Sequence, residues 1–335
     1  NPVYYKAVER RARCFETKGR LQEAAKDVLT LCILEGFKSE ESLKRLEELL
    51  KSISEHKVSE ILAGRTLSLP SNSMIQDYLE TYPFPFKIVA DPTKLPAELQ
   101  QAFKDASEGQ YEASYAGVQA YVTTIPSDTA ALSDELKIAA SLAYELCGTY
   151  ALLEGDLEKA RKHLETSVLL EPKNSNAMIK LADTSLELKS YGGMDHMVNL
   201  AIEQDQKDPT GWYHRGEFNA ITEKLDNAVK DYSKAIKLKN DFFRAYLQKT
   251  RVLVLNGRFD EAEKFMKEAI AAHPGNAKLI NSLGEVMMFK GELEKSLSYF
   301  NEALKIAPNM LTPNLNIAVI STSELKDYDK AIECL

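Results

Sequence analysis

A 34-residue spacing between glycines and prolines is the feature that most constrains the fold of this chain. Gly155, Gly257 and Gly291 are separated by 102 and 34 residues, and 102 is three times 34. The same two intervals separate three prolines, at positions 172, 274 and 308. Self-similarity at such a period is typical of tandem supersecondary units, each too small to bury a core alone. We therefore predict a stacked repeat array.

Small and large residues alternate within each period. Ile280, Gly284, Phe300 and Ala303 mark one copy, and other copies repeat these residue types with conservative changes. The pattern resembles the tetratricopeptide repeat, in which small residues let two antiparallel helices approach and large ones fill the gaps. A glycine ends the first helix in a left-handed conformation, and a proline stops the second. The sequence predicts an all-α tetratricopeptide superhelix with a concave groove.

The period is interrupted between two arrays. Residues 1–61 hold the end of an N-terminal array, residues 62–96 form a linker rich in serine and proline, and residues 97–335 form a long C-terminal array. The linker has bulky side chains that predict docking and not free motion: Tyr78, Leu79, Tyr82, Phe84 and Phe86. Because the chain starts and stops within helical patterns, we expect it to be part of a longer protein.

Composition excludes several classes of function. The formal net charge of −8 argues against general nucleic-acid binding, which needs a basic surface. No apolar run approaches 18 residues, so we expect no membrane span in this chain. The four cysteines form no CxxC pair, which is consistent with the reducing cytosol, and Cys14 and Cys147 are predicted at small buried positions.

Motifs of catalysis and of cofactor binding are also missing. The five histidines are scattered without an HExxH motif or a Cys/His cluster, and there is no GxGxxG, P-loop or GxSxG sequence. We expect no metal, no cofactor and no enzymatic activity in this chain.

The first helix has a basic stripe. Lys6 and Arg10 are four residues apart and share one face, which the repeat frame turns towards the groove. Two such cations can hold a carboxylate, with arginine giving the fork geometry. The alternative is a solvated basic stripe on an exposed helix.

The first helices of the C-terminal repeats predict a second binding surface. Their groove-facing positions mix apolar and charged side chains, which suit an amphipathic or extended peptide better than a small metabolite. The alternative is that many of them only pack between helices. The candidate peptide-contacting residues are Tyr213, His214, Glu217, Arg244, Leu247, Arg251, Glu285 and Met288.

Three local sequences resemble the mitochondrial outer-membrane import receptors of the 70 kDa class. They are residues 6–12 leading to 31–37, the linker from Leu69-Pro70-Ser71 to Tyr78, and Trp-Tyr-His-Arg-Gly at 212–216. The likeness covers nearly the whole chain. It implies a receptor on the cytosolic face of the mitochondrial outer membrane, anchored in the full-length protein by an N-terminal helix.

The resemblance also implies partners. The N-terminal array of such receptors docks the acidic C-termini of Hsp70 and Hsp90, with Lys6 and Arg10 at matching positions and Arg11 less certain in role. The C-terminal array holds carrier-type preproteins with internal targeting signals and passes them to other translocase subunits. Other clamp members lie in earlier repeats, so this chain alone should bind chaperone tails poorly.

Two other functions are compatible with the same repeats. One is a soluble co-chaperone or assembly scaffold, which would lack an apolar stretch of about 20 residues upstream. The other is the regulatory repeat array of an enzyme, which would have a catalytic domain downstream.

Overall fold

The computed structural model describes residues 2–63, 67–82, 92–188 and 192–323. The chain divides into two units, Asn1–Ser68 (unit 1) and Leu69–Leu335 (unit 2). Within the described ranges, the regular elements are seventeen α-helices and two short 3-10 helices, without a strand. The predicted all-α class is confirmed. Phe84, Phe86 and the end of the last repeat lie outside the described residues.

The helices follow one another as antiparallel pairs. Unit 1 contains α1 (Pro2–Thr17), α2 (Leu21–Leu34) and α3 (Glu40–Ala63). Unit 2 begins with α4 (Asn72–Leu79), α5 (Ala97–Ser107), α6 (Tyr111–Thr124), α7 (Asp134–Glu154) and α8 (Leu157–Leu170). It continues with α9 (Ser175–Glu187), α10 (Met194–Gln204), α11 (Pro209–Ile221), α12 (Leu225–Leu238) and α13 (Phe243–Leu255). Its last helices are α14 (Phe259–Ala272), α15 (Ala277–Phe289), α16 (Leu293–Ile306) and α17 (Leu311–Ser323).

The 34-residue period is visible in the helix starts. Helices α9, α11, α13, α15 and α17 begin at residues 175, 209, 243, 277 and 311. Three of these helices are capped by a side chain one residue earlier, since Asn174, Asp208 and Asn276 each accept a bond from a backbone N–H of the first turn. The sequence therefore sets three of these five helix starts by a local cap, and the regular starts repeat the same first-helix surface along the array.

Close helix approach depends on the predicted glycines. A Cβ atom at Gly284 would lie 2.6 Å from the Phe300 ring, and one at Gly216 would lie 2.8 Å from the Tyr232 ring. The aromatic ring of the second helix thus occupies the space that a side chain on the first would need. This packing confirms the physical basis of the repeat pattern.

Unit 1 has its own small core. Ala12, Ala24 and Val28 are fully buried between α1 and α2, as the repeat pattern predicts. Cys32 is buried as well, but Cys14 is exposed, so the prediction that Cys14 is buried was wrong. Cys14 follows the fully buried Ala12 by two residues, which is roughly 200° around the helix, so it lies on another face of α1.

Part of the predicted linker is ordered in unit 2. Ile75 on α4 is buried against Leu99 and Phe103 of α5. The unit boundary lies at residues 68 and 69, inside the predicted linker range of 62–96. The linker therefore contains a docked helix, and this helix brings the residues after it to the groove of unit 2.

Candidate functional site

A large open cavity lies in the groove of unit 2. Its volume is about 1880 Å³, and its walls come mainly from α13, α15 and α17. These are the first helices of three successive repeats, so the 34-residue period places equivalent positions side by side. Five of the eight predicted groove residues line the cavity: Arg244, Leu247, Arg251, Glu285 and Met288. Contact of any of them with a peptide remains a prediction.

An apolar row follows one edge of the cavity. Leu255 and Phe289 end α13 and α15 and line the cavity, with 64% and 59% of their surfaces exposed. Ile221 occupies the same position one repeat earlier and is exposed too. Because solvated apolar side chains at successive equivalent positions form a continuous surface, this row can bury part of a ligand.

A carboxylate lies on the cavity floor. Glu285 Oε1 accepts hydrogen bonds from Asn281 Nδ2 at 2.9 Å and from Asn316 Nδ2 at 3.2 Å. Asn281 is 4% exposed, and its Oδ1 atom has no hydrogen-bond partner among the described residues. Leaving a buried amide oxygen without a hydrogen-bond partner destabilises the folded protein by roughly several tenths to a few kcal/mol. This oxygen therefore favours a ligand that can donate a hydrogen bond to it.

Basic side chains surround the apolar part of the cavity. Lys239, Arg244, Arg251 and Lys278 line it. None of the four forms an ion pair with any residue in the described part of the chain. Three carboxylates line the cavity as well, Glu80, Asp241 and Glu285, so its charges are nearly balanced.

The remaining predicted groove residues, Tyr213, His214 and Glu217, do not line this cavity. Tyr213 is buried in the repeat core, and its hydroxyl donates to Glu217 Oε1 at 2.8 Å. Gln248 Nε2 donates to the same oxygen at 3.2 Å. Glu217 thus has the same arrangement as Glu285, with one donor on its own helix and one on the next repeat.

The groove beside these residues is filled by the chain itself. Residues 78–82 are the last two residues of α4 and the three residues after it. We call them the docked segment. The ring of Tyr82 stacks on His214 with centroids 4.5 Å apart, and its hydroxyl donates to Asp183. The Thr81 carbonyl oxygen lies 3.2 Å from Nε2 of His214. The sequence predicted docking of this segment but gave no signal for its location, because its contacts lie 101 and 133 residues away.

His214 is enclosed by acidic groups. Its Nδ1 lies 3.0 Å from Asp183 Oδ2 and 3.7 Å from Glu217 Oε2. Burial, the largest single effect, disfavours the imidazolium, but the Asp183 and Glu217 carboxylates and the Thr81 carbonyl together outweigh it and hold the pKa of His214 above its usual value. Burial also raises the pKa of Glu217. His214 is only 3% exposed, so this arrangement holds the docked segment.

A buried ion pair lies next to the docked segment. Lys180 Nζ lies 2.9 Å from Glu145 Oε1, and these side chains are 6% and 3% exposed. Thr149 accepts a second bond from Lys180, and Asn174 donates to the other Glu145 oxygen. The ammonium also lies 5.0 Å from the centroid of the Tyr82 ring. All of these groups are satisfied within the array, so the pair is structural.

The predicted cations of unit 1 have different environments. Lys6 and Arg10 are exposed on α1, whereas Arg11 forms two bonds of 2.7 Å with Asp27 on α2. Arg215 and Asp231 form the same bidentate pair at the same separation of 16 residues in unit 2. This shared Arg-x15-Asp spacing is a sequence signal for an ion pair between the two helices of a repeat. Arg11 therefore has a structural partner, whereas Lys6 and Arg10 are exposed.

The described residues contain neither a candidate metal centre nor a candidate membrane span. Over these ranges, no group of three or more His, Cys, Asp or Glu side chains could hold a metal ion. None of the described helices is long and apolar enough to cross a bilayer.

The chain is similar to known proteins that are built from helical repeats. The tetratricopeptide repeat family matches residues 209–242 and 253–315. Over its whole length, the chain is 24% identical to the mitochondrial import receptor subunit TOM70 of Rattus norvegicus and 23% identical to that of Homo sapiens. The chain is similar to these Tom70 receptors over its whole length. The resemblance stated from local sequences is confirmed.

The Tom70 likeness extends to the fold. The crystal structure of the yeast Tom70 superimposes with a TM-score of 0.67 and 20% sequence identity, covering 100% of this chain and 70% of that one. This chain spans 58% of the length of the rat and human Tom70 proteins. A Dictyostelium discoideum STIP1 homolog is 33% identical, but over only 28% of this chain and 17% of that protein. The Tom70 matches therefore cover both units.

Proposed function

We propose that the chain is the receptor part of a Tom70-type protein on the cytosolic face of the mitochondrial outer membrane, and that it binds preproteins without catalysing a reaction. The observation that carries this proposal is the open cavity in unit 2, which combines an exposed apolar row with polar groups on its floor and rim. A polypeptide with an internal targeting signal offers matching apolar side chains and backbone donors. Bound carrier-type preproteins would pass from here to other translocase subunits.

The soluble scaffold and the regulatory array of an enzyme are less well supported. Both would use a similar groove, but the whole-length likeness is to import receptors. The STIP1 homolog aligns with only a small part of the chain.

The apolar row gives a direct test of preprotein binding. We expect Leu255→Asn to weaken binding of an in vitro translated carrier precursor about tenfold, because burying a leucine contributes roughly 1.5–3 kcal/mol. Leu255 is 64% exposed, so the change should leave the fold intact. Binding would be measured by titrating the purified chain against the labelled precursor.

A matched control uses the same substitution elsewhere. Leu169 lies near the end of α8, outside the cavity, and is 78% exposed. Leu169→Asn should leave precursor affinity unchanged. Equal affinities for Leu255→Asn and wild type would remove the cavity from the proposed preprotein site.

For unit 1, we propose docking of the acidic C-termini of Hsp70 and Hsp90 by Lys6 and Arg10. Both cations are exposed, lie one turn apart on α1 and have no ion-pair partner among the described residues. Because Arg11 is held by Asp27, its proposed role is to orient the helix that presents the other two. The support is this difference in pairing, together with the homology to Tom70.

The clamp proposal predicts different results for two neighbouring arginines. In the full-length receptor, Arg10→Ala should weaken binding of a peptide with an acidic C-terminus by about tenfold or more, because a hydrogen bond to a charged group contributes about 1.5–3 kcal/mol. Arg13→Ala, which removes an exposed arginine paired with Glu9, should not change binding. Fluorescence anisotropy would measure both affinities, and equal loss in the two variants would contradict the clamp.

A further inference from the structure

The docked segment covers one part of the groove of unit 2 and leaves the next part open. Tyr82 is buried against Met178 and Ile179 of α9. Leu247 of α13 occupies the repeat position of Ile179, two periods later, and lines the open cavity. Glu80 and Tyr82 themselves line that cavity on one side. Release of the docked segment would therefore uncover the apolar surface of α9 next to the cavity.

The docked segment is held by opposing contributions. The Tyr82 ring stacks on His214 with centroids 4.5 Å apart, and its hydroxyl donates to Asp183. The ring of Tyr78 packs on that of Tyr82, but its buried hydroxyl oxygen has no hydrogen-bond partner among the described residues. A buried hydroxyl without a partner destabilises the docked form, whereas water would bind it after release. A change at one contact can therefore shift this balance.

His214 faces a hydrogen-bond acceptor at both ring nitrogens. Its Nε2 lies 3.2 Å from the carbonyl oxygen of Thr81, and its Nδ1 lies 3.0 Å from Oδ2 of Asp183. Only the imidazolium has a proton on both nitrogens. Because the carboxylate attracts the one proton of a neutral ring more strongly, the lone pair of that ring would face the Thr81 carbonyl. Loss of one proton therefore weakens the contact with the docked segment itself.

The groups around His214 do not replace it as the titrating group. Asp183 and Glu217 approach the ring most closely. The other charged or titratable groups nearby are Lys180, Glu145, Arg244, Tyr213, Tyr78 and Tyr82. Lys180 and Glu145 pair with each other, and burial raises the pKa of the three tyrosines, so their hydroxyls stay neutral. Burial also raises the pKa of Glu217, but its ionisation with rising pH favours the imidazolium.

We propose that the docked segment is a pH-sensitive strap, which closes over the groove of unit 2 while His214 has both ring protons and is released when the ring becomes neutral. This contact lies within the chain, so the inference goes beyond the receptor function and does not depend on what the cavity binds.

The direction of the pH effect follows from the surroundings of the ring. In the docked form, Asp183, Glu217 and the Thr81 carbonyl outweigh burial and hold the pKa of His214 above its ordinary value of about 6.5. After release, water reaches the ring and screens both carboxylates, which are already 28% and 30% exposed, so the pKa moves back towards that value. The docked segment is therefore held fully below about pH 6.5 and loosens as the pH rises through the raised pKa of His214.

Reciprocity gives the sharpest test. If the proton closes the strap, the closed strap must raise the pKa of His214. We would titrate the histidine rings of the whole chain by NMR in the wild type and in Tyr82→Ala, and we expect the higher His214 pKa in the wild type. His163, whose ring lies beside Tyr144, serves as the internal control and should titrate equally in both. An equal or higher His214 pKa in Tyr82→Ala would overturn the proposal.

Amide hydrogen exchange tests the same device without changing Tyr82. The backbone N–H groups of Thr81 and Tyr82 donate to carbonyl oxygens within the docked segment, and so short a turn does not keep such bonds after release. After correction for the intrinsic effect of pH, their protection should fall about tenfold or more from about pH 6 to about pH 8, which is the effect of one hydrogen bond to a charged group. His214→Gln should give low protection at both pH values, whereas the exposed His196→Gln should behave as the wild type. Wild-type protection that does not change with pH, or full protection in His214→Gln, would contradict the strap.

Discussion

Replacing Lys180 by methionine should lower the free energy of unfolding of unit 2 by about 3–5 kcal/mol, because a buried carboxylate would lose its counter-ion. Lys180 and Glu145 are almost fully buried, and their charged atoms lie 2.9 Å apart. Methionine keeps the volume of the side chain and removes its charge. The loss would appear as a lower unfolding midpoint of the helical circular-dichroism signal.

Two further variants isolate the cause of that loss. Lys180→Met combined with Glu145→Gln removes both charges and should recover at least part of the stability, since the uncompensated carboxylate is gone. Lys162→Met changes an exposed lysine of α8 and should alter stability by no more than about 0.5 kcal/mol. A Lys180→Met variant as stable as Lys162→Met would contradict a buried pair.

Replacing Tyr82 by alanine should release the docked segment from the groove. The tyrosine ring is buried between His214 and the Lys180 ammonium, and its hydroxyl donates to Asp183. Truncating a buried aromatic residue costs about 3–5 kcal/mol, which exceeds what a short segment can recover from its other contacts. Backbone amides of the docked segment should therefore exchange hydrogen about a hundredfold faster or more.

The control for this change is the exposed Tyr4 on α1, where Tyr4→Ala should leave exchange in the docked segment unchanged. Tyr82→Phe keeps the ring and loses the bond to Asp183, so it should give an intermediate effect of about 1–3 kcal/mol. Exchange in α15 and α16 should stay slow in every variant. Wild-type protection in Tyr82→Ala would show that the ring does not hold the segment.

The repeat frame predicted much of this structure because its information is local. Each helix start, cap and close glycine contact depends on residues within one 34-residue period. The same frame placed Arg244, Leu247 and Met288 on the groove wall, since equivalent positions of first helices face the same way.

The docked segment could not be predicted from that frame. Its contacts join residues more than a hundred positions apart, and they turn Tyr213, His214 and Glu217 from open groove positions into a covered network. Periodicity describes how each helix faces its neighbours, but it carries no information on which distant segment covers a given surface. The pairing of Arg11 with Asp27 is different, because it spans only 16 residues and shares its spacing with the Arg215–Asp231 pair, which is a local sequence signal.

Site-specific photo-crosslinking can show whether preproteins bind in the open cavity of unit 2, as proposed above. A photoreactive phenylalanine analogue at Phe289, which lines the cavity, would be compared with the same analogue at Leu169, which does not. We expect a labelled carrier precursor to crosslink at position 289 and not at 169. Crosslinking at 169 alone, or at neither position while the precursor still binds, would contradict the account.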